Sequence, residues 1–298
     1  MKTLDETPKG VAYGLGAYIL WGCFPLYFAL FDGIPAWEVL THRVIWSCLF
    51  LAVVISLFKR WPPVISALRE PRKLGFVFAC AVFIALNWGV YIYAVETRQV
   101  LQASLGYFLT PLVNIALGLL ILGERISRTQ AAAVGLAAVA ILYQLFLLGE
   151  VPWITLLLAF SFGTYGLTRK KVALDGLSGL FVETLLLLPL GLLALAWLSM
   201  LGASHFSDTP SGALLLLSSG VVTAIPLLAF AGAARRLTLS TVGFLMYINP
   251  TIQFLIALLV FEEPLGQETL MSFVMIWVAL ALYSWSAWVG RARGEAVA

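Results

Sequence analysis

The chain has 298 residues, 61% of them apolar and 11% charged, with a formal net charge of +3. Soluble domains carry about one quarter charged residues, so the composition excludes an ordinary soluble domain and points to an integral membrane protein. Polar sequence is confined to short punctuation between apolar stretches of about 20 residues, the length a helix needs to cross a hydrocarbon core.

The amino-terminal "MKTLDETPKG" carries Asp5 and Glu6 and leads into an apolar run without a small-residue cleavage site. It reads as the start of a retained first helix, not as a removed signal peptide. Apolar runs of spanning length then fall at about 11–31, 37–58, 74–94, 101–122, 129–148, 151–168, 178–201, 211–233, 239–261 and 267–288. The longest gap, Lys59 to Lys73, reads as a basic loop broken at Pro62-Pro63. Cys23, Cys48 and Cys80 all fall within apolar runs, which supports neither a disulfide framework nor a metal site. With ten spans, sixteen of the eighteen Lys and Arg residues fall on one side; Arg98 alone lies opposite, and Arg43 sits within a span. Cytoplasmic loops carry the excess of Lys and Arg, so both termini are expected in the cytoplasm.

Two distant stretches match. "ASLGYFLTPLVNIALGLLILGER" starts at Ala103 and "STVGFLMYINPTIQFLIALLVFEEP" at Ser240. Each has a Gly-aromatic pair (Gly106-Tyr107, Gly243-Phe244), a proline (Pro111, Pro250), an amide three residues later (Asn114, Gln253) and a glutamate thirteen later (Glu124, Glu263). Asp32-Gly33 and Asp175-Gly176 separate the first two spans of each half. The expected fold is therefore all-α, ten transmembrane helices in two five-helix repeats, 10–148 and 150–290. Five spans per repeat make the second run opposite to the first, an inverted repeat typical of secondary transporters, with the solute site near the midplane. Pro111 and Pro250 are expected to break the fourth and ninth spans and leave the Tyr107 and Met246 carbonyls without a helical partner. Beside a polar cavity such carbonyls can be satisfied. Tyr107, Pro111 and Asn114 share one face; Met246, Pro250 and Gln253 repeat the pattern, with Asn249 alongside. The alternative is that prolines are common in membrane helices and amides join helices together.

Charges within spans are functional candidates because burying them is costly. Arg43 has a planar fork that suits a carboxylate or phosphate on a solute; it could instead snorkel to headgroups or pair with Glu38 or Asp32. His42 could carry a proton or make a helix-joining hydrogen bond. Glu183, near the cytoplasmic end of the seventh span, could titrate during transport or pair with a neighbouring helix or Lys170. Asn87, Trp88 and Tyr91 on the third span, with Trp21 and Tyr165 on the first and sixth, supply aromatic and amide surface for an amphipathic solute. For each tryptophan taken alone, packing or interface marking is the commoner role.

The segments "YILWGCFPLYFAL", "EVLTHRVIWS", "NWGVYIYAV", "SLGYFLTPLVNIALGLLILGERIS", "TYGLTRKK", "GLFVETLLLLP" and "RRLTLSTVGFLMYINP" resemble the RarD branch of the EamA family, within the drug/metabolite transporter superfamily. The resemblance runs from about Gly10 to Trp288. It implies ten helices, two EamA repeats and a bacterial inner-membrane location, and it fixes no native substrate. One departure is visible: the first repeat has Gly123-Glu124, whereas the second has Glu262-Glu263-Pro264. The expected function is secondary transport of a small organic metabolite or drug-like solute by alternating access. No G-x-x-x-x-G-K-[ST] loop is present to make ATP the direct energy source. The rivals are a membrane-embedded enzyme acting on lipid, which would need clustered acid/base or metal groups, and a non-transporting scaffold. The expected partners are a small-molecule solute and membrane lipid. No cofactor, metal or nucleic acid is expected, and the chain is expected to act as a monomer.

Overall fold

The computed structural model describes residues 6–122, 127–148, 151–170, 172, 174–234, 236–237, 242 and 245–292. Among them there is no β-strand. The helices are α1 (Glu6–Gly22), α2 (Phe24–Phe28), α3 (Ala36–Leu57), α4 (Trp61–Arg69), α5 (Pro71–Glu96), α6 (Val100–Leu122), α7 (Arg128–Leu148), α8 (Trp153–Lys170), α9 (Gly176–Met200), α10 (Pro210–Ala234), α11 (Ile248–Leu259) and α12 (Gln267–Ala292). A 3-10 turn, Ala29–Phe31, extends α2.

Seven of these, α3, α5, α6, α7, α9, α10 and α12, are long and apolar enough to cross a membrane; α1 with α2 and its 3-10 turn gives an eighth if the 41° bend between them lies within one span. The bend falls at Cys23, where Pro25 opens a new helix. Two expected spans fall short of that standard. α8 has 18 residues, but its second half carries Thr164, Tyr165, Thr168, Arg169 and Lys170. α11 is a 12-residue helix.

Local chemistry sets the ends. Prolines sit in the first turns of α2, α4 and α5, where a missing N–H costs nothing. Lys59, Arg98 and Gly202 take positive φ after α3, α5 and α9. There the following amide closes back on Ile55, Ala94 and Leu198, a left-handed cap that satisfies otherwise orphaned carbonyls. The expected loop from 59 to 73 is mostly the short helix α4. Its Pro62-Pro63 pair starts that helix instead of breaking it, and buried Val64 and Ala67 face α5 and α9.

The two expected proline breaks come out differently. Pro111 lies inside an unbroken α6, whereas Pro250 is the third residue of α11 and follows a turn at Met246 and Tyr247. Pro189 and Pro226 also lie inside helices, so an internal proline alone does not mark a path here. The Gly243-Phe244 pair and Glu124 lie outside the described residues.

Packing pairs α3 with α9, α6 with α11 and α7 with α12; α5 packs on α8, and α1 on α10. Large apolar side chains, among them Leu57, Leu120, Phe146, Met200 and Leu259, stay on the outside, where lipid makes their exposure costless. α3 and α10 come into close backbone contact at Gly220. A Cβ there would lie 2.3 Å from the carbonyl carbon of Trp46.

Gly220→Ala should therefore lower the thermal unfolding midpoint. Overpacking costs about 1–3 kcal/mol, against the roughly 1 kcal/mol that alanine returns in helix propensity. A midpoint that is unchanged or raised would mean that the two helices are not in backbone contact.

Candidate functional site

Arg43 is the eighth residue of α3, about 10 Å along it at 1.5 Å per residue. It is only 3% exposed. Its Nε donates to Thr223 Oγ1 on α10 at 2.8 Å, and Thr223 in turn donates to the Ser219 carbonyl. The guanidinium carbon lies 4.1 Å from the ring centre of Trp88, 5.2 Å from Phe28 and 5.7 Å from Phe24. Among the described residues, no carboxylate lies within 4.0 Å of it.

The acid nearest in sequence is otherwise engaged. Glu38, fully buried, accepts from the backbone amide of His205 at 2.8 Å and from Ser204 Oγ at 3.2 Å, and its second oxygen is 2.6 Å from His205 Nδ1. Its pairing with Arg43 is therefore not formed. His42 faces the same carboxylate at 4.0 Å through Nε2. Its Nδ1 accepts from Trp46 at 3.1 Å, which assigns the proton of a neutral ring to Nε2. That bond lies within α3, so the expected helix-joining hydrogen bond is replaced by stacking on Phe206 of the α9–α10 connection, 5.0 Å between ring centres.

Around Arg43 the aromatic cage continues. Tyr91 packs against Phe28 and Tyr107, with ring centres 5.9 and 5.8 Å apart. Its hydroxyl is buried and, among the described residues, has no hydrogen-bond partner. Tyr107 donates to Asn87 Oδ1 at 3.1 Å, while Asn87 Nδ2 donates to the Leu158 carbonyl and Ser161 Oγ on α8. Asn87 is thereby a joint between α5, α6 and α8. Tyr27 is hydrogen-bonded to Ser218 and the Leu215 carbonyl on α10.

Tyr165 and Glu183 form a second cluster. Glu183, fully buried, is ion-paired with Arg169 and accepts from Tyr165 at 3.3 Å. Arg169 also reaches the carbonyls of Asp175 and Gly176. It fits because position 179 is glycine: a Cβ there would lie 2.0 Å from its guanidinium. The neighbouring-helix reading of Glu183 is thus met by Arg169. A third group joins α11 to α1: Gln253, 2% exposed, donates to Asn249 Oδ1 at 2.8 Å and to the Trp21 carbonyl at 3.4 Å. Trp21 itself packs on Tyr18 and Phe230. Asn114 is exposed on α6, with its Oδ1 toward Gly163 of α8.

Sequence reasoning missed Phe24, Phe28 and Thr223 around Arg43, as well as Arg169 and His205. A signal for the first two existed: Phe24 and Phe28 are four apart, on one face of the helix that Pro25 opens. Glu263, matched in sequence to Glu124, accepts from the amides of Val100 and Leu101 at 2.7 and 2.8 Å and so caps α6.

Residues 8–146 match the EamA-like transporter family. Protein RarD of Salmonella typhi is 47% identical over 93% of this chain and 95% of its own length. The chain belongs to the RarD branch of the EamA family. An uncharacterized transporter of Vibrio cholerae is 43% identical over 94% of this chain and 93% of that relative. A solved crystal structure of 17% identity, covering 92% of this chain and 96% of its own, has a TM-score of 0.56, a likeness of fold alone. Family membership and the apolar helices together make this a multi-pass membrane protein of transporter type.

Removing one partner of a buried ion pair costs about 3–5 kcal/mol because the other charge is stranded. Arg169→Gln should therefore destabilise the protein by about 3 kcal/mol in chemical unfolding. Adding Glu183→Gln should return at least about 1 kcal/mol of that loss. Strict additivity of the two substitutions would contradict the pairing.

Proposed function

We propose that the chain is a ten-span secondary transporter whose two five-helix halves, inverted relative to one another, carry a small organic solute past Arg43 by alternating access. α1 with α2, α8 and α11 supply the spans beyond the seven long helices. The pairing of helices supports the inverted repeat. Counting α1 with α2 as the first span, α3–α9, α6–α11 and α7–α12 are each a helix and its repeat mate, while α5–α8 and α1–α10 exchange under the same operation. Gating motions can then be shared between pseudo-equivalent halves.

The basic residues support an orientation with both termini in the cytoplasm of a bacterium, across its inner membrane. Lys59, Arg60, Arg69, Arg72, Lys73, Arg128, Arg169 and Arg236 lie at helix ends on the cytoplasmic side of that arrangement, and Arg98 on the other. Solute then passes between the Glu183–Arg169 pair on the cytoplasmic side and the Glu38–His205 pair on the outer side.

The single observation that carries the reading is Arg43: a permanent charge within a span, held by Thr223 of the second half and walled by rings from the first. A membrane enzyme would need an acid/base pair or metal set converging on one reacting atom; the buried carboxylates Glu38 and Glu183 instead bond separately to His205 and Arg169.

Reconstituted in liposomes, the protein should exchange labelled solutes from a small-metabolite panel with saturation. Arg43→Gln should reduce that flux at least about tenfold, the loss of a charge-assisted contact, while abundance and monodispersity persist. Full flux in that variant would remove Arg43 from the path.

A further inference from the structure

We infer that the Arg43 centre takes a small monocarboxylate with a flat apolar body, an aryl acid being the type; this deepens the reading of Arg43 as the solute site and rests on it. The first reason is charge. A guanidinium stays protonated, and Nε is committed to Thr223. Among the described residues, its two terminal nitrogens have neither a carboxylate nor another hydrogen-bond acceptor. Those nitrogens form the edge that receives two carboxylate oxygens in parallel bonds.

The second reason is the walls. Trp88, Phe24 and Phe28 present ring faces and edges to the guanidinium, and Tyr91 and Tyr107 continue the same surface. Such a lining suits a planar hydrocarbon body. The third is Tyr91, a buried O–H without a partner among the described residues. Leaving such a donor unsatisfied costs about 1–3 kcal/mol. A carboxylate on Arg43 gives it an acceptor, whereas the Tyr27 and Tyr107 hydroxyls already bond to Ser218 and Asn87.

The same inventory rejects other anions. A phosphate monoester carries about −1.5 to −2 charges near neutral pH and would meet one cation. A zwitterionic amino acid would bring an ammonium into a ring-lined centre where the buried Glu38 and Glu183 are already held by His205 and Arg169. Phe28, 5.2 Å from the Arg43 guanidinium carbon, also lines a crevice of about 50 Å³ with Asp32, Glu96 and Arg98.

The test is binding to the purified full chain in lipid nanodiscs, read by tryptophan fluorescence and by thermal shift. The probes are phenylacetate, phenylacetamide, phenyl phosphate and phenylalanine. Phenylacetate should bind saturably and at least about tenfold tighter than the other three, as expected when one charge-assisted contact decides the difference. Tyr91→Phe keeps the ring and removes only the orphan hydroxyl. It should weaken phenylacetate about tenfold and leave the unliganded unfolding midpoint unchanged or raised, which a merely structural hydroxyl would not do. Arg43→Lys keeps the charge without the fork and should also weaken binding. Equal binding of the amide, tighter binding of the phosphate or the amino acid, or unaltered phenylacetate affinity in Tyr91→Phe would overturn the assignment. Carboxylate-selective binding without liposome flux would uphold it while removing the transport reading. Arg43-dependent flux of a different solute without that selectivity would uphold transport and overturn the assignment.

Discussion

A guanidinium cannot shed its charge, and removing it from water costs several kcal/mol even after the surroundings relax. The bundle holds Arg43 at 3% exposure with one hydroxyl and three aromatic faces, and with no carboxylate among the described residues. Cation–π contacts return about 0.5–2 kcal/mol each, yet among the described residues only Nε of the guanidinium has a hydrogen-bond acceptor. An arrangement of that kind is stable enough to fold yet gains from an anion that arrives from outside, which is the differential affinity a cycling transporter needs. Thr223 reaches Arg43 because α10 lies on α3 at Gly220, and Phe24 and Phe28 face it because the first span bends at Cys23.

The buried carboxylates Glu183 and Glu38 differ from Arg43 in being already compensated. Glu183 is tied to Arg169, which is tied in turn to the first carbonyls of α9. Glu38 is tied to the α9–α10 connection through His205. Both therefore join a helix to its surroundings, and neither neutralises Arg43. Glu263 and Glu96 act in the same structural way, bonding the first amides of α6 and α3 from other segments.

Much of this was legible in the sequence. Apolar runs placed nearly every helix to within a few residues, because lipid forces each segment to satisfy its own backbone. Arg43, Trp88 and Tyr91 stood out for the same reason: a polar or amphipathic group in such a run needs a cause. What could not be read was convergence. Phe24 and Phe28 look like any apolar residues until the bend turns them toward α3, and Thr223 is one of four hydroxyl residues in an otherwise apolar helix. Arg169 sits at the end of its run and reads as a loop cation, because only folding brings Gly179 beside it. The Pro62-Pro63 pair misled because the same ring that breaks a helix interior is welcome in a first turn.

The central claim, that an unpaired buried guanidinium is the anchor for a solute carboxylate, is tested most directly by crystallography of the protein with 4-bromophenylacetate. The account predicts an anomalous bromine peak within the ring cage of Trp88 and Phe28, with the carboxylate on the terminal nitrogens of Arg43. Bromine elsewhere, with Arg43 ion-paired to Asp32, Glu38 or Glu183, would contradict it.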